Sequence, residues 1–321
     1  MVAGVMAEGL YGRLVASASG TPAVQTAPVT AIACASAPAA GDTIENPDIA
    51  DTGDLEAPIL ARQPAIGPSR TDTASRGWMT SLASVRAVIG KIKIVHADDE
   101  VESLIAGLVS TKKPVVVAFV NQHTLNLAWH SSDFAACLID CNVLLRDGIG
   151  IEACLAVLGQ APGRNMNGTD FIPKLTAAFA GRRIAIYGTT QPWIGKAADV
   201  LAASGCRVVG TMDGFRPESD YVAEAVRTSP DLIILAMGNP KQEIVARMIA
   251  ASVIDPMVIV NGGAIADFLA QRFERAPVWL QRARCEWLFR MLQEPGRLWR
   301  RYLLGGFAFA RSVVLLRVVS R

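Results

Sequence analysis

The sequence predicts an α/β fold: a mostly parallel sheet with helices on both faces, followed by a basic amphipathic carboxyl-terminal helical appendage. Three observations carry this expectation. From about Lys91, short β-branched runs alternate with amphipathic stretches, as strands joined by helices do. Several runs end in glycine or a polar turn before the next helix, at Asp147-Gly148, Gly188-Thr189-Thr190, Gly238-Asn239-Pro240 and Asn261-Gly262-Gly263. Finally, residues 272–321 hold eleven arginines, no lysine and three acids.

In chain order, residues 1–90 are expected to form a disordered or loosely ordered extension. Up to about residue 76 the chain is rich in Ala, Ser, Thr, Pro and Gly, with little apolar periodicity and mostly acidic charges between Asp42 and Asp72. Its mildly apolar start carries Glu8 and Arg13 and lacks the basic-then-apolar order of a signal peptide. Residues 91–283 should form the core, with strands at 93–96, 115–120, 143–146, 183–187, 207–211, 232–236 and 257–260. One helix should start at Asp98 or Asp99 and end near Ser110. Others are expected at 149–159, at 169–180 with Thr169 as its cap, and near 193–203, 219–228, 240–251 and 277–292. Residues 284–321 form the appendage.

The 321 residues, half of them apolar, suffice to bury a full core. Six cysteines show no C-x-x-C pair and no nearby histidines, so they read as reduced, mostly buried thiols of a cytoplasmic protein rather than as a metal site. The net charge of +2 hides a segregation: residues 272–321 carry +8 and the remainder −6. Arginine without lysine suits forked contact with phosphate or carboxylate. Within the tail the longest uncharged run, 302–310, is nine residues. A membrane-crossing helix needs roughly 20, so the tail is expected at most to lie in the interface with its arginines toward lipid phosphates. The alternative is a helix packed on the core with a solvated basic face.

In an open parallel sheet the strand-end turns gather along the carboxyl edge, where ligands bind. Gly188, Gly238 and Gly262 would admit close approach there, and the helix starts that follow present N–H groups suited to phosphate. Asp147, alone between a buried strand and a glycine turn, is the candidate general base; the competing readings are a helix cap or a partner for Arg146. Asn121 ends the 115–120 strand on the same edge, and His123 reads as a helix-start residue. Arg164, in the loop before Thr169 and Asp170, could grip a diphosphate or simply lie on the surface. In the turn at 238–243, capping accounts for Asn239, Pro240 and Glu243. It does not account for Lys241, a cation at a helix N-terminus. Lys241 and Gln242 could hold a nucleotide. No G-x-x-x-x-G-K-[ST], G-x-S-x-G, well-placed G-x-G-x-x-G or Asp-x-Asp is present, which disfavours kinase, esterase and dinucleotide dehydrogenase readings.

The residues Asp147-Gly148-Ile149-Gly150, Arg164 with Gly168-Thr169-Asp170, and Gly238-Asn239-Pro240-Lys241-Gln242-Glu243 occur in one order along the chain. Arg275-Ala276-Pro277, Glu286-Trp287-Leu288-Phe289-Arg290 and Glu294-Pro295-Gly296-Arg297 with Arg300-Arg301-Tyr302 continue it. Over about residues 92–305 this series resembles the WecG/TagA/CpsF family, glycosyltransferase family 26. The resemblance implies a Rossmann-like sheet and an inverting, metal-independent transferase without a cofactor. Its substrates would be a UDP-sugar donor and a polyprenyl-diphosphate-linked sugar acceptor. It further implies Asp147 as base, Arg164 near the diphosphate, and an appendage, here about 286–302, that closes over the site and touches the cytoplasmic membrane surface. Arg297, Arg300 or Arg301 would then meet the departing diphosphate. Where some relatives carry threonine two places before the asparagine, this chain has Phe119. The expected location is cytoplasmic, peripheral to the inner face of the cell membrane. Self-association is left open, and nucleic acid is disfavoured because the arginines are interleaved with bulky aliphatics. A nucleotide-sensing recruitment module and a nucleotide-sugar hydrolase are the rival functions. Removal of the chain after about Gln293 is expected to leave a folded, soluble, nearly inactive protein.

Overall fold

A computed structural model describes residues 73–319; the extension expected to be disordered lies, up to residue 72, outside the described residues. The elements are α1 (Thr73–Gly90), β1 (Ile92–Lys93), α2 (Asp98–Val109), β2 (Val115–Val120), α3 (Gln122–His130), α4 (Ser132–Asp140), β3 (Val143–Arg146) and α5 (Gly148–Val157). They continue with α6 (Gly168–Ala178), β4 (Arg183–Gly188), α7 (Trp193–Ala203), β5 (Arg207–Met212), α8 (Glu218–Thr228), β6 (Leu232–Ala236), α9 (Lys241–Ser252), β7 (Val258–Asn261) and α10 (Ile265–Leu269). The appendage holds α11 (Val278–Arg282), α12 (Glu286–Gln293), α13 (Pro295–Trp299), a π-helical turn (Arg300–Leu304) and α14 (Gly305–Val319).

The seven strands form one sheet in the order β1-β3-β2-β7-β6-β4-β5, and every pairing is parallel. This is the expected α/β, Rossmann-like arrangement. A sheet covered on both faces needs apolar residues at successive positions, which the Val115-Val116-Val117-Ala118-Phe119-Val120 run of β2 and the Leu-Ile-Ile-Leu-Ala run of β6 supply. Alternate residues feed two cores. Val116, Ala118 and Val120 join Leu125, Leu138, Ile151 and Val245, whereas Val117 and Phe119 join Phe171, Ile172, Ile194 and Ile265.

The structure departs from the sequence expectation at four places. Residues 73–90, expected to be loosely ordered, form α1, whose Leu82, Val85, Val88 and Ile89 are buried in the first core. The first strand is cut to Ile92–Lys93, because the Val95 carbonyl accepts from Arg164 N (2.7 Å) in the loop before α6. The cap of α6 is Asn167, not Thr169: its Oδ1 accepts from Asp170 N at 2.8 Å, while its Nδ2 donates to Asp170 Oδ2 at 2.8 Å. The helix expected at 277–292 breaks at Arg284, which has φ 61°, into α11 and α12.

The tail also differs. The continuous helix Arg300–Val319, 20 residues, is long and apolar enough to cross a membrane by length and composition, although the run of uncharged residues is shorter. It is nevertheless held on the protein: Phe309, Ser312, Val313 and Leu316 are buried against the first core, and Asn126 Nδ2 donates to Gly305 O (2.8 Å). Leu303, Leu304, Phe307, Val314 and Val318 face away from the core and are exposed.

Candidate active site

The carboxyl edge of the sheet brings strand ends β2, β3, β7, β6 and β4 side by side, so Asn121, Asp147, Asn261, Gly238 and Gly188 line one rim. At Gly188 a Cβ would lie 2.1 Å from Ala236 O, so only glycine permits this approach of β4 to β6. Gly238 has φ 78° and opens the turn into α9.

Asp147 stands at the N-cap of α5, yet its side chain makes no capping bond. The N–H of Gly148 goes instead to Asn165 Oδ1, at 2.7 Å. Nor is Asp147 taken up by Arg146. That guanidinium is buried, donating through Nη1 to Gly148 O (3.1 Å) and Glu152 Oε2 (3.3 Å), and through Nη2 to Gly163 O (3.0 Å). Asn121 Nδ2, 3.4 Å from Asp147 Oδ2, is the neighbouring donor, while Asn121 Oδ1 caps α3 by accepting from Thr124 N (3.0 Å). Burial raises the Asp147 pKa above the ordinary carboxylate range, opposed by Asn121 and by the positive charge of Arg290, Arg301 and Arg146.

Arg290 and Arg301 come from the appendage, 143 and 154 residues further along the chain. Arg290 lies over the Phe268 ring, with its guanidinium carbon 4.9 Å from the centroid. Arg301 also acts on His123 in the first turn of α3, whose pKa falls to about 4, first through burial and then through Arg301. His123 is therefore neutral at physiological pH and stands in the helix start after Asn121, on the edge where the sequence suggested it. Glu286 of α12 belongs to the same group. Burial raises its pKa, Arg275 and Arg290 oppose the rise, and Asp170 and Asp147 add to it. Arg275 bridges Asp170 (2.6 Å) and Glu286 (3.6 Å), tying the start of α6 to the appendage.

Other candidates are engaged elsewhere. Arg164 pairs with Asp98 at 2.9 Å, at the start of α2. Its loop still adjoins the Asp147 turn, since the next residue, Asn165, holds Gly148. Lys241 donates to Gly214 O (3.1 Å) and Arg216 O (2.5 Å) and lies over the Tyr221 ring. Carbonyls and a ring thus account for a cation that the helix dipole opposes. Gln242 Oε1 accepts from Gly238 N (3.2 Å) and Gly263 N (3.0 Å), linking two rim turns. Glu243 Oε1 accepts from Asn239 (2.7 Å) and Gln242 (2.8 Å), and burial pushes its carboxyl up to about 7. Arg300 is exposed over the Trp299 ring, Thr169 is half-buried in the first turn of α6, Gly262 starts the turn after β7, and the side chain of Arg297 lies outside the described residues. Beside Gly188, Thr189 Oγ1 donates to Asp267 Oδ1 (2.6 Å), which also pairs with Arg272 (3.2 Å). Sequence spacing offered no sign of this cluster. Among the described residues no three His, Cys, Asp or Glu side chains gather as metal ligands.

The glycosyl transferase WecG/TagA/CpsF family matches residues 88–321. This chain belongs to that family. Two curated relatives are named N-acetylglucosaminyldiphosphoundecaprenol N-acetyl-beta-D-mannosaminyltransferase. The one from Bacillus spizizenii is 26% identical over 215 residues, 64% of this chain and 83% of the relative. The one from Bacillus subtilis is 26% identical over 200 residues, 61% of this chain and 77% of the relative. The family match begins within α1, so the family covers the whole sheet and the appendage.

Proposed function

We propose that this family member is an inverting, metal-independent glycosyltransferase. It moves a hexose or N-acetylhexosamine from a UDP-sugar to a polyprenyl-diphosphate-linked saccharide at the inner membrane face, in exopolysaccharide or cell-surface polysaccharide synthesis. The observation that carries this reading is a rim carboxyl spared from capping and from Arg146, raised in pKa by burial, with Arg290 and Arg301 of the appendage acting on it. The relatives' names supply the class of substrate: an N-acetylhexosamine passed to a lipid diphosphate sugar.

In the proposed reaction Asp147 accepts the proton of the acceptor hydroxyl as that oxygen attacks the anomeric carbon from the face opposite the diphosphate. A single displacement inverts the centre. Negative charge grows on the departing UDP, and Arg301, Arg290 and the helix N-termini along the rim stabilise it. Arg164 would join them by exchanging Asp98 for phosphate. His123, neutral, can offer or accept a hydrogen bond without adding charge. The exposed apolar residues Leu303, Leu304, Phe307, Val314 and Val318, with exposed Arg300 beside them and Arg311 among them, suit the headgroup boundary of a membrane carrying the acceptor.

Asp147→Asn keeps the shape of the side chain and removes the base. Expected are a fall in kcat on the order of 10²-fold or more and nearly unchanged UDP affinity by calorimetry. Turnover equal to the parent would end the assignment. Because burial raises its pKa, the parent rate should climb with pH through a value above the ordinary carboxylate range.

A further inference from the structure

We propose that Glu152 is a positioning residue that couples seating of the appendage to the geometry of the Asp147 turn; this rests on Asp147 being the base. Glu152, on α5 and 23% exposed, divides its carboxylate between two guanidinium groups. One oxygen takes Arg284 Nη1 and the other takes Arg146 Nη1 at 3.3 Å. The two arginines have different tasks. Arg146, 2% exposed, holds the carbonyls of Gly148 and Gly163, and so fixes both the turn beginning at Asp147 and the loop that delivers Arg164. Arg284, 62% exposed, occupies the left-handed break between α11 and α12, the point where the chain turns into the helix that carries Glu286 and Arg290.

A buried guanidinium needs its counter-charge, and here that charge is shared with a surface arginine of the appendage. Lifting α12 from the core removes Arg284 and returns the whole carboxylate to Arg146. Seating it draws the carboxylate back across α5. The Asp147 turn and the appendage therefore bias one another, and the effect must run in both directions. Displacement of a reacting group by about 1 Å can cost on the order of 10²-fold in rate, so modest coupling suffices to matter. Like-charge contact between Arg146 and Arg284 would arise without the carboxylate between them, which gives Glu152 a specific role that packing alone does not.

The test uses the full chain with Glu152→Gln, Arg284→Gln and the double variant. Hydrogen exchange of residues 284–304 reads appendage seating without reference to catalysis. Steady-state transfer from a UDP-sugar reads the base. Expected are faster exchange in 284–304 for both single variants, kcat lower by about ten-fold with donor KM within about two-fold, a double variant no worse than the worse single, and partial recovery of kcat in Glu152→Asp. Unchanged exchange in Glu152→Gln, or strictly multiplicative losses in the double variant, would overturn the coupling. If Glu152→Gln fails to fold, Arg284→Gln leaves the buried pair intact and decides by the same exchange readout. Absence of transfer in the parent would instead count against the functional reading and leave the exchange result to judge the coupling.

Discussion

At position 147 a carboxylate stands where helices commonly use one as a cap, but the first amide of α5 is served by Asn165 and the adjacent arginine by Glu152. The competing uses of Asp147 are thus occupied by other side chains, which leaves it available for chemistry. The appendage arginines divide in the same way. Arg301 acts on Asp147 and His123, whereas Arg300 sits on Trp299 facing solvent. Arg301→Gln should lower kcat by on the order of 10²-fold, the usual cost of losing one preorganised donor, and Arg300→Gln by only a few-fold. Comparable losses in the two variants would show that appendage charge acts collectively rather than through one residue. Glu243 offers a test of stability. Its folded pKa of about 7 exceeds the unfolded carboxylate value of 4.5, so the folded state holds the proton more tightly between those values. Stability contributed there is present below pH 4.5 and lost as pH rises through 7, a change on the order of 3 kcal/mol. A parent Tm that falls across this window, and a Glu243→Gln Tm that loses most of that fall, are the expected results.

Among the elements, the central strands were legible because burial on both faces demands unbroken apolar runs: β2, β3 and β6 lie where the sequence put them. Elements set by tertiary contacts were harder to read. β1 is shortened because a loop 69 residues away takes the Val95 carbonyl, and the break at Arg284 has no glycine or proline to announce it. At the candidate site, the neighbouring placement of Asp147 and Asn121 could be read from their strand-end positions. The positive charge that Arg290 and Arg301 bring toward Asp147 could not be found from spacing, because appendage docking decides it. The tail shows the same limit. Its arginines left interface and core packing as alternatives, and the structure buries Phe309, Val313 and Leu316 while leaving Phe307, Val314 and Val318 outside. Truncation after Gln293 should therefore lower stability as well as activity, since each buried side chain is worth roughly 1.5–3 kcal/mol. By contrast Phe307→Glu with Val314→Glu should leave Tm within a degree or two yet abolish sedimentation with anionic vesicles. Retained vesicle binding would remove α14 from the membrane contact.

For the molecule as a whole, a doubly covered parallel sheet supplies the rim, and a carboxyl-terminal segment rich in arginine folds back to supply positive charge to it. That division explains a net charge of +2 concealing a segment of +8. The rival functions make different demands, since a sensor needs no base and a hydrolase needs no acceptor. The most direct measurement incubates the full chain with a panel of labelled UDP-sugars, with and without a polyprenyl-diphosphate monosaccharide, and quantifies UDP and glycosylated lipid by mass spectrometry. The predicted result is equimolar UDP and product from one donor, only when acceptor is present and Asp147 intact. UDP released equally without acceptor, or donor bound with no UDP formed, would contradict it.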